Sequence, residues 1–181
     1  MRAILLAAGP GIRLRPITDT VPKCMVPIHG KVLLDYWIEQ LIEAGIERIL
    51  INTHYRHEQV EQHVMNSEFH EFIDLIHEEN LLQTGGTILA NKDYFCNETF
   101  MLAHADNLSI CDYKDFIASH YSRPEGTVIT MMSYLSDNPK SCGIIEIDEF
   151  GVVQKFHEKV QIPPSNIANA AVYIVEPSII D

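Results

Sequence analysis

Tryptophan occurs once, aromatic residues make up 8% of the chain, and no apolar run approaches the roughly 20 residues that cross a bilayer. The N-terminal stretch from Ala3 to Ala8 stops at Gly9 and is too short for the apolar core of a secretory leader. A membrane protein is therefore excluded and a cytoplasmic one expected. Basic residues are also scarce, with 13 Lys and Arg against 25 Asp and Glu and a formal charge of −12. A chain with so few cations has no face with which to follow a phosphate backbone, so nucleic acid is excluded as a partner. Cysteine is sparse and scattered: Cys24, Cys96, Cys111 and Cys142 form no CxxC pair, which predicts reduced, packed thiols rather than a disulfide framework. Internal repeats, low-complexity tracts and linkers are missing, so residues 1–181 are expected to form a single domain.

What is present is a globular composition, 46% hydrophobic over 181 residues, long enough to bury a core. The charge is unevenly spread. Residues 1–31 hold five bases (Arg2, Arg13, Arg15, Lys23, Lys31) and one acid (Asp19), a local +4 that leaves −16 on the other 150 residues. A basic segment in an acidic body suits a small, highly charged anion.

The pattern along the chain is that of an α/β domain. Ala3 to Ala8 reads as a strand buried on both faces, and Leu33 to Ala44 carries apolar residues at helical spacing before Gly45. Arg48 to Asn52 predicts the next strand. The alternation continues with a helix over Glu58 to Met65, a strand over Phe72 to His77, a helix starting near Thr84, a strand over Phe100 to Ala103 and a helix over Tyr113 to His120. Four strands then follow, over Thr127 to Met132, Gly143 to Ile147, Val152 to Phe156 and Ala170 to Val175, with Glu149-Phe-Gly151 as a hairpin turn.

Gly9-Pro-Gly11-Ile-Arg13 follows the first strand, where a phosphate loop belongs in such a domain. The dinucleotide pattern GxGxxG fails because its third position is Leu14, and no acid ends the second strand, where Asn52 stands. A hydride-transferring dehydrogenase is thereby disfavoured. The Walker pattern fails as well, since no Gly-Lys-Ser/Thr follows. What remains is a glycine turn followed within fourteen residues by Arg13, Arg15 and Lys23. Freed backbone N–H groups and these cations together can hold phosphate. The nine histidines include His54, His57 and His63, but six residues separate the last two, a spacing that puts them on different helix faces rather than around a metal.

The whole segment from Leu6 to Lys31 resembles the signature of the sugar-1-phosphate nucleotidyltransferases, L-A-A-G-x-G-T-R-L-x-P-x-T, then P-K, then P-x-x-G-K-P. Leu6-Ala-Ala-Gly9, Gly11, Arg13-Leu14, Pro16, Thr18, Pro22-Lys23, Pro27 and Gly30-Lys31 match in order, while Ile12 replaces Thr and Val32 replaces Pro. Later segments resemble the family too. His77-Glu78 through Thr84-Gly85-Gly86 is similar to its nucleobase segment, with Gln83 where Gly is common. Met101 to Asp106 is similar to its metal-binding strand end, Phe156-His-Glu158-Lys159 to Glu-Lys-Pro, and Asn169-Ala-Ala-Val-Tyr173 to Asn-x-Gly-x-Tyr.

The resemblance implies a Rossmann-like three-layer α/β/α fold with a mixed, mostly parallel central sheet. It implies transfer of a nucleoside monophosphate from a triphosphate to a sugar 1-phosphate, with release of pyrophosphate. Leu6, Ala8, Gly9, Gly11, Glu78, Thr84, Gly85 and Gly86 would bind the nucleotide, with Arg13 and Lys23 catalytic on its phosphates. Asp106 would hold Mg²⁺, the implied cofactor, and Glu158, Lys159 and Asn169 the sugar phosphate. Glu78 stands where thymidylyl and uridylyl members often carry Gln, and a carboxylate complements the two adjacent N–H donors of guanine. With Val160 after Lys159, this favours GTP and a GDP-sugar such as GDP-mannose, with thymidylyl or uridylyl transfer as the alternatives. A nucleotide-binding protein without turnover is a further reading, because the family's late Asp-x-Gly-Thr segment with the second metal aspartate is not found in these 181 residues. Homo-oligomerisation stays open.

Overall fold

The computed structural model describes residues 1–180. Its central sheet begins with four parallel strands, β1 (Arg2–Leu6), β4 (Arg48–Thr53), β5 (Ile73–His77) and β6 (Phe100–His104), in the spatial order β5-β4-β1-β6. A small antiparallel ribbon of β2 (Pro27–Ile28) and β3 (Lys31–Val32) lies outside it. The remaining strands, β7 (Ile129–Leu135), β8 (Gly143–Ile147), β9 (Val153–Glu158) and β10 (Ile167–Val175), join through antiparallel pairs of β10 with β6, β7 and β8, and of β8 with β9. Six strands thus run in one direction, with β9 and β10 opposed, which makes the sheet mixed and mostly parallel by direction.

Alternation along β1 explains the layering. Ala3 and Leu5 join one core with Leu34, Trp37, Ile38 and Leu41 of α1 (Leu33–Glu43) and Val60 and Val64 of α2 (His57–Met65). Tyr113 of α4 (Tyr113–Tyr121) closes the same layer. Ile4 joins the opposite core with Leu50, Phe95, Phe100 and Leu102, against which Ile88 of α3 (Gln83–Ala90) packs. Both faces of the sheet are therefore covered, and the strands read as unbroken apolar runs for that reason.

The first strand ends at Leu6 rather than Ala8, because the Ala7 N–H leaves the ladder and donates to Asn52 Oδ1 at 2.8 Å. Register then fixes the geography of the site. Leu6 lies level with Asn52 on one side and His104 on the other, and the Ala105 N–H donates to the Leu6 carbonyl at 3.0 Å. The chain leaves β1 toward β4 on one side and later returns to pair β6 on the other. The crevice between these departures, outside the carboxyl ends of β1 and β6, is the topological switch point where ligands of such sheets bind.

The thiols divide. Cys24 is buried, and burial pushes it up to about 12, which leaves it inert. Cys96 and Cys111 are exposed and Cys142 is half-buried, so the expectation of four packed thiols holds for one. Short turns explain the others, since Cys96 and Cys142 each end a helical turn and Cys111 precedes the Asp112 cap of α4.

Candidate active site

The glycine turn is held by its neighbours. Gly11 has φ +63°, and a Cβ there would come within 2.9 Å of Thr18 Cγ2 and 3.0 Å of Lys23 Cβ. Both the backbone angle and the space demand glycine. Thr18 Oγ1 donates to the Gly11 carbonyl at 2.8 Å, so the turn and the segment leading to Lys23 form one unit. Gly9 is exposed, and a Cβ there would meet nothing within 4 Å, leaving open space over the loop. The start of α2 ties the far side of the loop: Tyr55 Oη donates to Thr18 O at 2.9 Å, Arg56 Nη2 to Asp19 O at 2.5 Å and Gln59 Nε2 to Thr20 O at 2.9 Å.

Three cations of the basic segment meet different fates. Arg15 Nε pairs with Asp19 at 3.1 Å, four residues along the chain. Arg13 is exposed and has no hydrogen-bond or ion-pair partner among the described residues. Lys23 Nζ reaches across the switch point to Asp106 Oδ2 at 2.8 Å, joining positions 83 residues apart in sequence. Asp106 sits just past β6, where the resemblance implies a metal ligand. His104, at the end of β6, is held neutral by burial, which pushes its imidazole down.

On the nucleobase side a buried polar chain replaces the expected display of ligands. Asn52 Nδ2 donates to Glu78 Oε1 at 2.9 Å, Thr87 Oγ1 donates to the same oxygen at 2.5 Å, and the Leu82 N–H donates to Oε2 at 3.1 Å. Glu78 is only 5% exposed. Burial pushes its carboxyl up, but the Thr87, Asn52 and Leu82 donors together hold it below the usual glutamate range, so it is ionised. Both oxygens that were expected to meet guanine are thus engaged inside the protein. Their role here is to tie the glycine turn, through Asn52 and Ala7, to the segment bearing Thr84, Gly85 and Gly86. Gln83, where glycine is common in the family, adopts φ +60° at the start of α3.

The residues that the resemblance assigns to the sugar phosphate lie at the end of β9 and on β10. Glu158 and Lys159, both more than half exposed, pair at 2.8 Å at the end of β9, with Lys159 at φ +48°. Asn169 sits on a bulge of β10: its Nδ2 donates to Tyr173 Oη at 2.5 Å and its Oδ1 accepts the Ala171 N–H at 2.8 Å. Its amide therefore braces the bulge, which places Ala171 at φ +57°, in the position where the family motif carries glycine. No hydrogen bond or ion pair joins Lys159 or Glu158 to Lys23 or Asp106 among the described residues. The link between the two ends runs through Asn107, whose Nδ2 donates to Ala170 O at 3.0 Å. A cavity of about 600 Å³ opens beside that link, bordered by Asn107, Phe116, Met132, Asn169 and Ala171.

No cluster of three or more His, Cys, Asp and Glu side chains among the described residues is arranged to hold a metal. Asp106 offers one carboxylate, 38% exposed, with Oδ1 free of donors among the described residues. A single hard oxygen donor suits Mg²⁺ where phosphate oxygens and water complete the octahedron.

Sequence reasoning missed the ties from Tyr55, Arg56 and Gln59, which carry no motif. The part played by Asn52 left a signal, a polar residue ending the apolar strand Arg-Ile-Leu-Ile-Asn. Among the described residues no helix is long and apolar enough to cross a membrane.

A family model described as Nucleotidyl transferase matches residues 2–181. The low-salt glycan biosynthesis nucleotidyltransferase of Haloferax volcanii is 33% identical over 100% of this chain and 51% of its own length. The mannose-1-phosphate guanylyltransferase catalytic subunit beta of Drosophila melanogaster is 31% identical over 99% of this chain and 49% of its own. Among solved structures, a UDP-glucose pyrophosphorylase from Acinetobacter baumanii superposes with a TM-score of 0.82 at 20% identity, covering 99% of this chain and 75% of that one. The chain spans about half the length of the curated relatives it matches. A glycine turn at a switch point, a lysine and an aspartate converging there, and a family match over nearly every residue agree: the chain belongs to the nucleotidyl transferase family.

Proposed function

We propose that this chain binds a nucleoside triphosphate and a sugar 1-phosphate in the switch-point crevice and joins them into a nucleotide sugar. The observation that carries this reading is the convergence of Lys23 and Asp106 to 2.8 Å, level with a glycine turn open above Gly9.

The chemistry follows from the charges. An oxygen of the sugar 1-phosphate attacks the α-phosphorus, the bond from that phosphorus to the oxygen bridging the β-phosphate breaks, and pyrophosphate leaves with the electron pair. The attacking oxygen is already ionised, so no general base is needed. Two polyanions must nevertheless approach, and each pair of unit charges at 4 Å repels by about 4 kcal/mol at an effective dielectric near 20. Arg13 and Lys23 offset that repulsion on the triphosphate and Lys159 on the sugar phosphate. Asp106 would hold Mg²⁺, which when bound supplies charge neutralisation on the phosphates. Glycine-freed N–H groups from Gly9 to Gly11 receive phosphate oxygens, and the open backbone of Thr84 to Gly86 lies beside the base.

Guanylyl transfer to mannose 1-phosphate is the favoured pair, supported by the likeness to the Drosophila melanogaster guanylyltransferase subunit over 99% of this chain. The inward turn of Glu78 removes the side-chain argument for guanine. The likeness in fold to a UDP-glucose pyrophosphorylase keeps uridylyl transfer as the second reading. Pyrophosphate release measured with Mg²⁺, GTP, UTP, dTTP, ATP or CTP, and a panel of sugar 1-phosphates tests both. Turnover with GTP and mannose 1-phosphate above all other pairs is expected. Triphosphate binding without pyrophosphate from any pair would overturn the catalytic reading.

A further inference from the structure

The contact between Lys23 and Asp106 joins the group proposed for the triphosphate to the group proposed for the metal. Each is thereby occupied by the other before any substrate arrives. Lys23 is 24% and Asp106 38% exposed, so the pair is partly withdrawn from solvent at the base of the crevice. Its two halves are fixed independently. Lys23 is set by the Gly11 turn, whose missing Cβ leaves the space that the Lys23 stem fills. Asp106 is set by the Ala105 N–H on the Leu6 carbonyl and by Asn107, whose carbonyl accepts Trp37 Nε1 at 2.8 Å and whose Nδ2 reaches Ala170. The pair is therefore a feature of the scaffold, not of two free surface side chains that happen to meet.

Resting on the function proposed above, we infer that Lys23 latches Asp106 in the substrate-free protein, so that divalent cation and triphosphate enter the site as one unit. A dication alone meets a carboxylate whose charge is already balanced, and it must sit beside the ammonium or displace it into the crevice with no anion to receive it. A triphosphate changes both conditions at once, since its oxygens accept Lys23 and complete the ligand set of a cation on Asp106. The coupling is reciprocal: whatever the triphosphate contributes to cation affinity, the cation returns to triphosphate affinity.

The test uses Mn²⁺ alone, followed through loss of the six-line electron paramagnetic resonance signal of the free ion, with no nucleotide present. The wild-type protein is expected to bind Mn²⁺ weakly. Lys23→Met is expected to bind it about tenfold more tightly, in the range of ordinary coupling between ligands. Adding Asp106→Asn to that variant is expected to abolish the gain, and Lys23→Arg to show none. Equal Mn²⁺ affinity in wild type and Lys23→Met would overturn the latch. Should Lys23→Met lose its fold by circular dichroism, acetylation mapped by mass spectrometry replaces it. Lys23 should then be acetylated several-fold faster in Asp106→Asn than in wild type, and an equal rate would overturn the inference. Failure here is distinguishable from failure of the proposed function: turnover with no change in Mn²⁺ binding removes only the latch, and a latch without turnover removes only the catalysis.

Discussion

The parallel half of the molecule, β1 to α4, and the antiparallel half, β7 to β10, hold their candidate ligands in different ways. In the first, both cores are closed around the strands, and the crevice is shaped by backbone: a glycine turn, a strand end and two N–H groups received by buried side chains. In the second, Ile144, Ile145 and Ala168 are buried but lie outside both of those cores, and Leu135, Phe150 and Ile162 are at least 72% exposed. Of its candidate ligands, Glu158 and Lys159 stand in solvent and Asn169 is half-buried. On the proposed function, one half would fix a polyanion by preorganised geometry, and the other would present long side chains that must be ordered when substrate arrives.

The largest expected contrast is in stability. Phe100→Ala, fully buried, should cost about 3–5 kcal/mol by chemical denaturation. Phe150→Ala, 73% exposed, should change it by no more than about 0.5 kcal/mol. A large loss at Phe150 would break the comparison. Activity should divide along the same line. Lys23→Ala should lower pyrophosphate release by about 10²–10³-fold at saturating substrate, the effect of losing a preorganised charge. Lys159→Ala should instead raise KM for the sugar phosphate by about tenfold.

A pH comparison sharpens the role of the buried chain. Glu78 titrates below its ordinary value of 4.5 in the folded protein, so its contribution to stability is fully present above that value and is lost as pH falls through the folded pKa. The stability difference between wild type and Glu78→Gln, measured by urea unfolding, should therefore shrink as pH drops from neutrality through the folded pKa of Glu78. A difference independent of pH would remove the ionised carboxylate from the network. The smallest effect is a gain. Ala171→Gly and Gln83→Gly should each raise stability by about 0.5–1 kcal/mol, because left-handed backbone costs a side chain about 1–2 kcal/mol and glycine's greater chain entropy returns part of it.

What could be read in the sequence follows from the same division. The elements of the parallel half lie within one or two residues of their expected limits, because burial on both faces or on one helical face writes an unbroken or periodic apolar pattern. The β2–β3 ribbon was hidden because strands of two residues each are too short to write a pattern. The N-terminal part of β10 was hidden as well, since Ile167 to Asn169 pair across a bulge whose left-handed residue is alanine rather than the glycine that would have marked it. At the site, Lys23 and Asp106 were legible as types, and their contact was not, because pairing over 83 residues has no local signature. Glu78 and Asn169 were legible as polar residues in motifs, yet whether a polar group faces a ligand or its own backbone depends on neighbours that arrive from other strands.

The bulge in β10 has a consequence for any attempt to exchange parts within this family. β7 pairs with residues 167–169 and 173–175 on either side of the bulge, while Ala168 also pairs with β8 and residues 172–175 with β6. A single strand thus borders three others. A graft that imports a new sugar pocket cannot be spliced at a domain linker. Its seam must fall inside the five-residue stretch from Asn169 to Tyr173, where the register against β7 breaks and the Asn169 amide holds the bulge through the Ala171 N–H and Tyr173 Oη.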